Sequence, residues 1–254
     1  MTVLTTTSTV SEQPKAQPAP QAALHAASLD VATEYTWLDH RMRRGLDLFS
    51  GMAGYKLVIG APRQDADAVF TEVCGPRPPI PPELNHLRER YDNAETIIVA
   101  YYRGRPVGTV SMYTMHGGGR TLEAFPTQLP RGVSADDVLD IGRLLIRKEH
   151  RGGSRLALLG LLNAATHFST ASTRTFWVGV TSLKLLQLFR YMNPTAQQLP
   201  IVDNRPEATE LQRYWDAYRG GPPKDVLPFI MRHDGAVPRA VIGRHIRNQL
   251  LRWS

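Results

Sequence analysis

Apolar residues recur along the chain either at alternate positions or at every third to fourth position, spacings typical of strands and helices respectively. The β-rich segments predict strands at Tyr55–Gly60, Glu95–Tyr102, Pro106–Met112, Asp140–Arg147 and Thr175–Val180. The helical spacings predict helices at 28–52, Arg63–Val73, Ser154–Ser169, Ser182–Met192, Glu207–Tyr218 and Val237–Trp253. The second and third strands are joined only by Arg103-Gly104-Arg105, which predicts an antiparallel hairpin.

The order of these elements indicates the fold class. A strand, a glycine-bearing turn, a helix, another strand and another helix follow antiparallel strands, which predicts an α+β fold: a mixed, mostly antiparallel sheet flanked by helices. One or two short strands are expected within 193–203, and a long functional loop or lid within 116–136. We divide the chain into a leader at 1–27, a domain at 28–203 and a basic helical C-terminal extension at 204–254, packed on the same domain.

Several classes of protein are excluded by composition. Residues 1–27 are rich in Thr, Ser, Gln, Pro and Ala, so a disordered leader is expected. It has no signal-peptide pattern, and no apolar run approaches the roughly 18 residues of a membrane span. Cys74 is the single cysteine, which excludes an internal disulfide, fits a reducing cytoplasm and predicts a small buried hydrophobe rather than a nucleophile. The histidines lack metal-site spacing, so no metal is expected.

The formal net charge of +7 favours an acidic partner. Nucleic acid, an anionic membrane surface, an acidic carrier protein and a polyphosphate cofactor all fit that charge. Aromatic and basic residues alternate only weakly, at Tyr101-Tyr102-Arg103, so nucleic acid is not expected as a partner. The basic helix at 237–253 is either a solvated face or a docking surface for an acidic carrier protein.

The segment from Asp137 to Leu162 is the most informative part of the chain. A strand with a carboxylate at Asp140 leads through a cationic turn into a leucine-rich helix. The amides and dipole at such a helix start attract an anion, which predicts a socket for a phosphate ester. The cations around this turn are Arg147, Lys148, His150, Arg151 and Arg155. The alternative is an ordinary strand-to-helix turn capped by Ser154. The leucines suit a core or an acyl tunnel equally.

The motif Asp140-Ile141-Gly142-Arg143-Leu144, followed by Glu149-His150-Arg151-Gly152-Gly153-Ser154, resembles the GNAT acyltransferase superfamily. More narrowly, it resembles the N-acyl amino acid synthases and acyl-homoserine-lactone synthases, which use acyl carrier protein. The resemblance implies an N-acyltransferase that moves a fatty acyl group from a carrier protein or CoA thioester to an amine of an amino acid, small molecule or peptide. It implies no tightly bound cofactor, the donor substrate being carrier-bound acyl-phosphopantetheine or acyl-CoA.

The resemblance also implies which residues meet the donor. They are Leu145, Arg147, Arg151, Gly152, Gly153, Ser154 and Arg155. A backbone amide near Leu145 to Arg147 is implied as the oxyanion donor. The usual signature of this turn has small residues at its fourth and sixth positions, where this chain has Ser154 and Leu156. Because small residues let amides close around a pyrophosphate, a carrier-bound phosphopantetheine with one phosphate is expected in preference to CoA.

Catalytic roles are implied for Asp140 and Tyr191. Asp140 stands where these enzymes usually carry Glu, and could take the amine's proton through water or hold the ammonium. The alternatives for Asp140 are a salt bridge to Arg143 or a surface charge on an edge strand. On a regular strand the two residues face opposite ways, and only a bulge would bring them together. Tyr191 is the candidate acid for the leaving thiolate, although Phe189 is nearer the usual tyrosine position and Tyr191 also suits a core or rim.

Two other functions stay open at this point. One is lactone-forming signal synthesis from S-adenosylmethionine, although the N-terminal region lacks the aromatic and arginine pattern of those synthases. The other is a non-catalytic binding module with the same fold.

Overall fold

A computed structural model of the chain describes residues 53–77, 79–114, 119–125, 127–151, 155–201 and 226–233, with Gly51, Glu210, Arg213 and Tyr214. These residues belong to one compact unit, Arg41–Ser254. The predicted leader, the helices at 28–52 and 237–253, and most of the helix at 207–218 lie outside the described residues. Within the described part of the chain, no helix is long and apolar enough to cross a membrane.

The described strands form one mixed sheet. They are β1 (Tyr55–Ile59), β2 (Glu95–Tyr102), β3 (Arg105–Tyr113), β4 (Val138–Ile146), β5 (Phe176–Ser182), β6 (Gln197–Gln198) and β7 (Val226–Arg232). Their order in the sheet is β1-β2-β3-β4-β5-β7-β6. Among these pairs β4 and β5 run parallel, and the others are antiparallel. The predicted hairpin and the predicted mixed, mostly antiparallel sheet are therefore confirmed.

Helices cover both faces of this sheet. They are α1 (Arg63–Cys74), α2 (Asn85–Ala94), α3 (Gly119–Ala124), α4 (Leu156–Ala171) and α5 (Leu183–Met192). Helices α4 and α5 enclose the largest apolar cluster with the sheet, while α1, α2 and α3 pack in smaller clusters on the opposite face. Helix α4 is apolar on most of its circumference, and its leucines at 156, 158, 159, 161 and 162 are all buried. Those leucines are core residues in this structure.

Three elements differ from the predictions. Helix α2 was not predicted because only Leu87 and Tyr91 bury apolar surface in an otherwise polar segment. Strand β7 was not predicted because it contains Pro228, which cannot donate a ladder hydrogen bond. The predicted loop at 116–136 contains α3 and a short 3-10 turn at Ala135–Asp137. The new strand β7 pairs with β5 and so makes β5 an interior strand.

Candidate functional site

Strands β4 and β5 separate part-way along their length. Their parallel pairing runs from Val138 opposite Phe176 to Ile141 opposite Gly179, although both strands continue beyond that point. Strand β4 changes there from buried residues to half-buried ones at 142–146. An opening in the sheet, which we call the strand opening, therefore lies between the second half of β4 and the end of β5.

Two residues of β5 border the strand opening. Gly179 lies so close to β4 that a Cβ atom there would be 2.5 Å from the Ile141 carbonyl oxygen. Thr181 is 4% exposed, and its hydroxyl makes no hydrogen bond within the described residues. A buried hydroxyl without a protein partner costs free energy unless water or a ligand satisfies it. Thr181 thus places a buried hydroxyl without a partner among the described residues on the part of β5 that follows the last β4–β5 pair.

A β-bulge in β4 reverses the direction in which its side chains point. Ser111 of β3 pairs with Gly142 and Thr109 pairs with Leu145, so residues 143 and 144 together oppose a single β3 residue. Arg143 adopts a left-handed conformation with φ of 51°. The bulge brings Arg143 to the face that carries α1, α2 and α3, the same face as Asp140. The sequence analysis required a bulge for Asp140 and Arg143 to share a face, and the structure has one.

Asp140 is buried, 1% exposed, and bound to the start of α3. The Thr121 amide donates a hydrogen bond to Oδ2 at 2.5 Å, and Arg120 Nη2 lies 3.6 Å from Oδ1. Burial raises the pKa of Asp140, against the opposing effects of Arg120 and Thr121. The two alternatives expected for Asp140 are wrong, because its ionic partner is Arg120 rather than Arg143 and β4 is an interior strand.

Glu95, at the start of β2, holds Arg143 in place. Arg143 Nη1 lies 3.0 Å from Glu95 Oε1, Arg63 Nη1 lies 2.7 Å from Oε2, and Tyr113 donates its hydroxyl to Oε1 at 2.8 Å. The Glu95 side chain is fully buried. Burial alone would raise its pKa, but Arg143, the hydrogen bond from Tyr113, and Arg63 lower the pKa of Glu95 overall. Glu95 is therefore ionised at neutral pH.

Arg120 lies between Asp140 and the Tyr113 ring, whose hydroxyl binds Glu95. Its guanidinium carbon lies 3.4 Å from the centroid of the Tyr113 ring, a close cation–π contact. Gly142 makes room for it, since a Cβ atom there would collide with Arg120 Nη2. A continuous chain of contacts, which we call the buried network, joins Asp140, Arg120, Tyr113, Glu95 and Arg143. Sequence reasoning missed Arg120 and Glu95. The sequence features that could have indicated them are the glycine run directly before Arg120 and the apolar strand that begins at Glu95.

A charged cleft of about 420 Å³ opens next to Arg143 on the face that carries α1 and α2. Its walls come from α1, the loop at 76–80, α2, β4 and Tyr214. The charged side chains that line it are Asp67, Arg77, Arg88, Asp92 and Arg143. Arg77 Nη2 lies 2.7 Å from Asp67 Oδ1, and Arg88 Nε lies 3.6 Å from Asp92 Oδ2. Charges of both signs therefore line the cleft.

Two of the cations predicted around the phosphate socket are engaged elsewhere. Arg147 is 4% exposed, and its Nη1 lies 2.7 Å from Glu72 Oε2 on α1. His150 Nδ1 lies 2.8 Å from the Tyr55 hydroxyl oxygen, and its ring also contacts Tyr102. Arg147 and His150 thus fix the end of β4 and the turn after it to α1, β1 and β2, rather than lining an anion site.

The other predicted cations, Lys148, Arg151 and Arg155, are exposed. Arg151 donates from Nε to the Ile146 carbonyl oxygen at 2.6 Å. Arg155 has φ of 49° and occupies the N-cap position of α4, the position that the alternative of an ordinary turn gave to Ser154. The glycines and serine of the turn, Gly152, Gly153 and Ser154, lie outside the described residues. Three exposed cations therefore flank the start of α4.

The remaining predicted residues are spread around the site. Leu145 is half-buried on β4 beside the strand opening. Tyr191 is 55% exposed on α5, whereas Phe189 faces the core and packs against Phe229. Cys74 is exposed at the end of α1, so the expectation of a buried residue is wrong. Partial desolvation raises the pKa of its thiol despite Arg151 and Arg77, which disfavours a thiolate nucleophile.

His150 gives the fold a pH-dependent term that we expect to detect by thermal unfolding. Burial lowers the pKa of His150 below its ordinary value of 6.5, with smaller opposing and supporting effects from nearby charges. At a pH between the lowered pKa of the folded state and the ordinary pKa of the unfolded chain, His150 carries a proton in the unfolded chain but not in the folded one. The stabilisation is therefore complete above about pH 6.5 and is lost as the pH falls through the folded-state pKa.

The variant His150→Phe keeps an aromatic ring beside Tyr55 and Tyr102 but cannot titrate. Its Tm should decline less than that of the wild type when both are followed from neutral pH to below the pKa of an unfolded histidine, about 6.5. Parallel Tm curves for the two proteins would show that His150 contributes no such term.

Comparisons with known proteins find similar structures at low sequence identity. No protein-family model matches the chain, and no curated protein matches it in sequence. It is similar to a GNAT family acetyltransferase from Elizabethkingia anophelis, whose structure has acetyl-CoA bound. The two sequences are 14% identical, the match covers 70% of this chain and 98% of that chain, and the TM-score is 0.40. It is also similar to the AHL synthase LasI, with 13% identity, coverages of 71% and 91%, and a TM-score of 0.46.

A third similar structure is the CoA-dependent acyl-homoserine lactone synthase BjaI with SAM and isopentyl-CoA. The identity is 14%, the coverages are 73% of this chain and 78% of that chain, and the TM-score is 0.43. These structures belong to the two groups that the sequence motif resembles.

Proposed function

We propose that the protein is an N-acyltransferase that moves a fatty acyl group from a phosphopantetheine thioester to an amine. One observation carries this proposal: the strand opening and the charged cleft meet at Arg143. Arg143 is the second residue after the last β4–β5 pair, and its side chain lines the cleft. A thioester held in the opening and an amine held in the cleft would meet at this residue.

The strand opening suits an extended pantetheine arm. Its amide groups can hydrogen-bond to the unpaired strand backbone as an added strand would. The buried Thr181 hydroxyl supplies a further polar partner. The phosphate at the end of the arm would then lie at the start of α4, near the exposed side chains of Arg151 and Arg155.

The reaction is proposed to be a direct attack of a neutral amine on the thioester carbonyl. The carbon–nitrogen bond forms, the amine gives a proton to water or a cleft carboxylate, and the carbon–sulfur bond breaks. A β4 backbone amide at Leu145 or Ile146 stabilises the oxyanion, since the Arg147 amide already donates to the Val107 carbonyl oxygen at 2.9 Å. Because Tyr191 faces solvent and Phe189 faces the core, we assign protonation of the thiolate to water rather than to a tyrosine.

Asp140 has a positioning role in this proposal. Its carboxylate is covered by the start of α3, with Gly119 so close that a Cβ atom there would be 2.6 Å from Asp140 Cβ. An acceptor amine in the cleft meets Asp67 and Asp92 instead, which line it. Asp140 then acts through Arg120 and the buried network, which hold the bulge and Arg143.

The preferred donor is an acyl carrier protein. Lys148, Arg151 and Arg155 are exposed at one end of the strand opening, where an acidic carrier surface could bind by charge complementarity. Leu156, where the usual signature has a small residue, is buried in the core at the first position of α4. The exposed cations and the buried Leu156 both favour a carrier-bound phosphopantetheine, which has one phosphate, over CoA, which has a pyrophosphate.

The proposal is tested by acyl transfer. Purified protein is given octanoyl and palmitoyl thioesters of acyl carrier protein or of CoA, with amino acids, putrescine, a lysine-containing peptide or S-adenosylmethionine, and products are identified by mass. We expect amide products, with a higher kcat/KM for the carrier thioesters. Replacing Arg151 and Arg155 together by glutamate should lower kcat/KM for the carrier donor by about tenfold or more, since both rate and affinity depend on charge complementarity.

The matched control is Arg131→Glu, a charge reversal at an exposed arginine in the loop before β4. It should leave kcat/KM within about twofold of the wild type, because surface substitutions away from a site have small effects. Absence of any acylated product with both donors would overturn the proposed activity. Product formed equally well from CoA thioesters, unaffected by the double reversal, would overturn the carrier donor alone, and a lactone product would point to signal synthesis.

A further inference from the structure

We propose that Tyr214 is a specificity-determining residue that limits the size of the acceptor's apolar group in the charged cleft. This inference rests on the proposed acyltransferase function and names the class of acceptor: an amine that also carries a compact apolar group. Tyr214 belongs to the C-terminal region, far along the chain from the motif that indicates the fold. It nevertheless lines the same cleft as Arg143.

Packing holds the Tyr214 ring in place. Tyr214 is 4% exposed, and its ring centroid lies 5.7 Å from that of Tyr91 on α2, with the two planes inclined at 46°. It is part of an apolar cluster with Leu84, Leu87, Tyr91, Tyr113 and Ala124. Tilted aromatic pairs at this separation are favourable beyond the area that they bury. The ring is therefore a fixed part of the cleft wall.

A second contact fixes the same segment to α2. Glu210 lies four residues before Tyr214 in the sequence. Glu210 Oε1 lies 3.5 Å from His86 Nε2 on α2. An exposed pair of this kind contributes little stability. It is nevertheless a second contact between this part of the chain and α2, beside the packing of Tyr214 on Tyr91. Tyr214 is thus positioned by α2, which itself supplies Arg88 and Asp92 to the cleft.

The chemistry of the lining gives the acceptor class. The charged side chains of the cleft can bind an ammonium or a carboxylate, whereas Tyr214 and Ile80 are the largest uncharged side chains among its lining residues. An acceptor whose polar groups meet the charges would place its apolar group against these two residues. Because Tyr214 is the larger of the two, its ring sets how large that group can be.

Truncation to alanine should therefore change selectivity. The probes are two graded series, glycine, leucine, phenylalanine and tryptophan, and ethylamine, butylamine and phenethylamine, each assayed with the donor that the wild type prefers. In Tyr214→Ala the ratio of kcat/KM for the bulkiest to the smallest acceptor of the reactive series should rise about tenfold or more, the scale on which apolar pockets discriminate. Tyr214→Phe keeps the ring and should keep the wild-type ratio.

The matched control is Leu87→Ala, which truncates a buried residue of the same cluster that does not line the cleft. It should lower stability by about 2–5 kcal/mol, as other core truncations of leucine do, and leave the acceptor ratio unchanged. Wild-type activity with the same ratio in Tyr214→Ala overturns this inference and leaves the proposed function standing, as does an equal change in Leu87→Ala. Wild-type protein without any product overturns the proposed function, and this inference with it.

Discussion

Replacing Glu95 with glutamine should lower the free energy of unfolding by about 3–5 kcal/mol, the usual cost of removing one partner of a buried ion pair. Glutamine keeps the shape of the side chain but removes the charge that faces Arg143 and Arg63. The Arg143 guanidinium, whose side chain is 8% exposed, then loses this ion pair in a buried site. Urea unfolding at neutral pH measures the change.

The pH dependence gives an independent check on Glu95. Its pKa is lowered in the folded state, so its stabilisation is present above the ordinary pKa of 4.5 and is lost as the pH falls through the folded-state pKa. The wild type should therefore lose more stability than Glu95→Gln on acidification through this window.

The control for Glu95 is Glu123→Gln, the same change at a carboxylate that is 25% exposed and paired with Arg90. It should cost about 0–1 kcal/mol, as partly exposed pairs usually do. Equal losses in Glu95→Gln and Glu123→Gln would mean that the ion pair of Glu95 with Arg143 contributes no more stability than a partly exposed pair.

Gly179→Ala should destabilise the protein by about 1–3 kcal/mol or more, the range for overpacked interiors. The added methyl would lie 2.5 Å from the Ile141 carbonyl oxygen and 3.0 Å from a ring carbon of Phe229. The first of these is backbone, which cannot rotate aside as a flexible side chain can. The strands must therefore move apart at the last β4–β5 pair, and acyl transfer should fall together with the stability.

Urea unfolding followed by the fluorescence of the chain's tryptophans, among them the buried Trp177 on β5, measures this loss. Gly51→Ala is the control, because a methyl there has no neighbour within 4 Å. It should be neutral or slightly stabilising. Unfolding midpoints for Gly179→Ala that match those of Gly51→Ala would contradict the close approach of the two strands.

Elements with a strong local pattern were predictable from the sequence. The strand that became β4 and the helix that became α4 were placed within two residues of their observed starts, because long apolar runs and a glycine-bearing turn mark them. Strand β7 was missed because Pro228 argues against a strand locally, and its pairing partner β5 is remote in sequence. Helix α2 buries too few apolar residues to show a helical period.

The candidate site was less predictable, since its geometry depends on remote contacts. Glu95 and Arg143 are 48 residues apart, and nothing in the local sequence of either indicates the other. The bulge at Arg143 could be stated only as a condition, because arginine has no special preference for a positive φ. Tyr214 lies further still from Arg143, in a segment whose spacing predicted only a helix.

The bulge also makes β4 a strand with two phases. Before it, Leu139 and Ile141 point into the core beneath α4, and after it Leu144 and Ile146 do. Without the shift, strict alternation would turn Arg143 and Arg147 toward that apolar core and expose two aliphatic side chains in their place. The position of the bulge thus decides which side chains of β4 enter the core. Adding or removing one residue there would turn the side chains on one side of the change to the opposite face of the sheet.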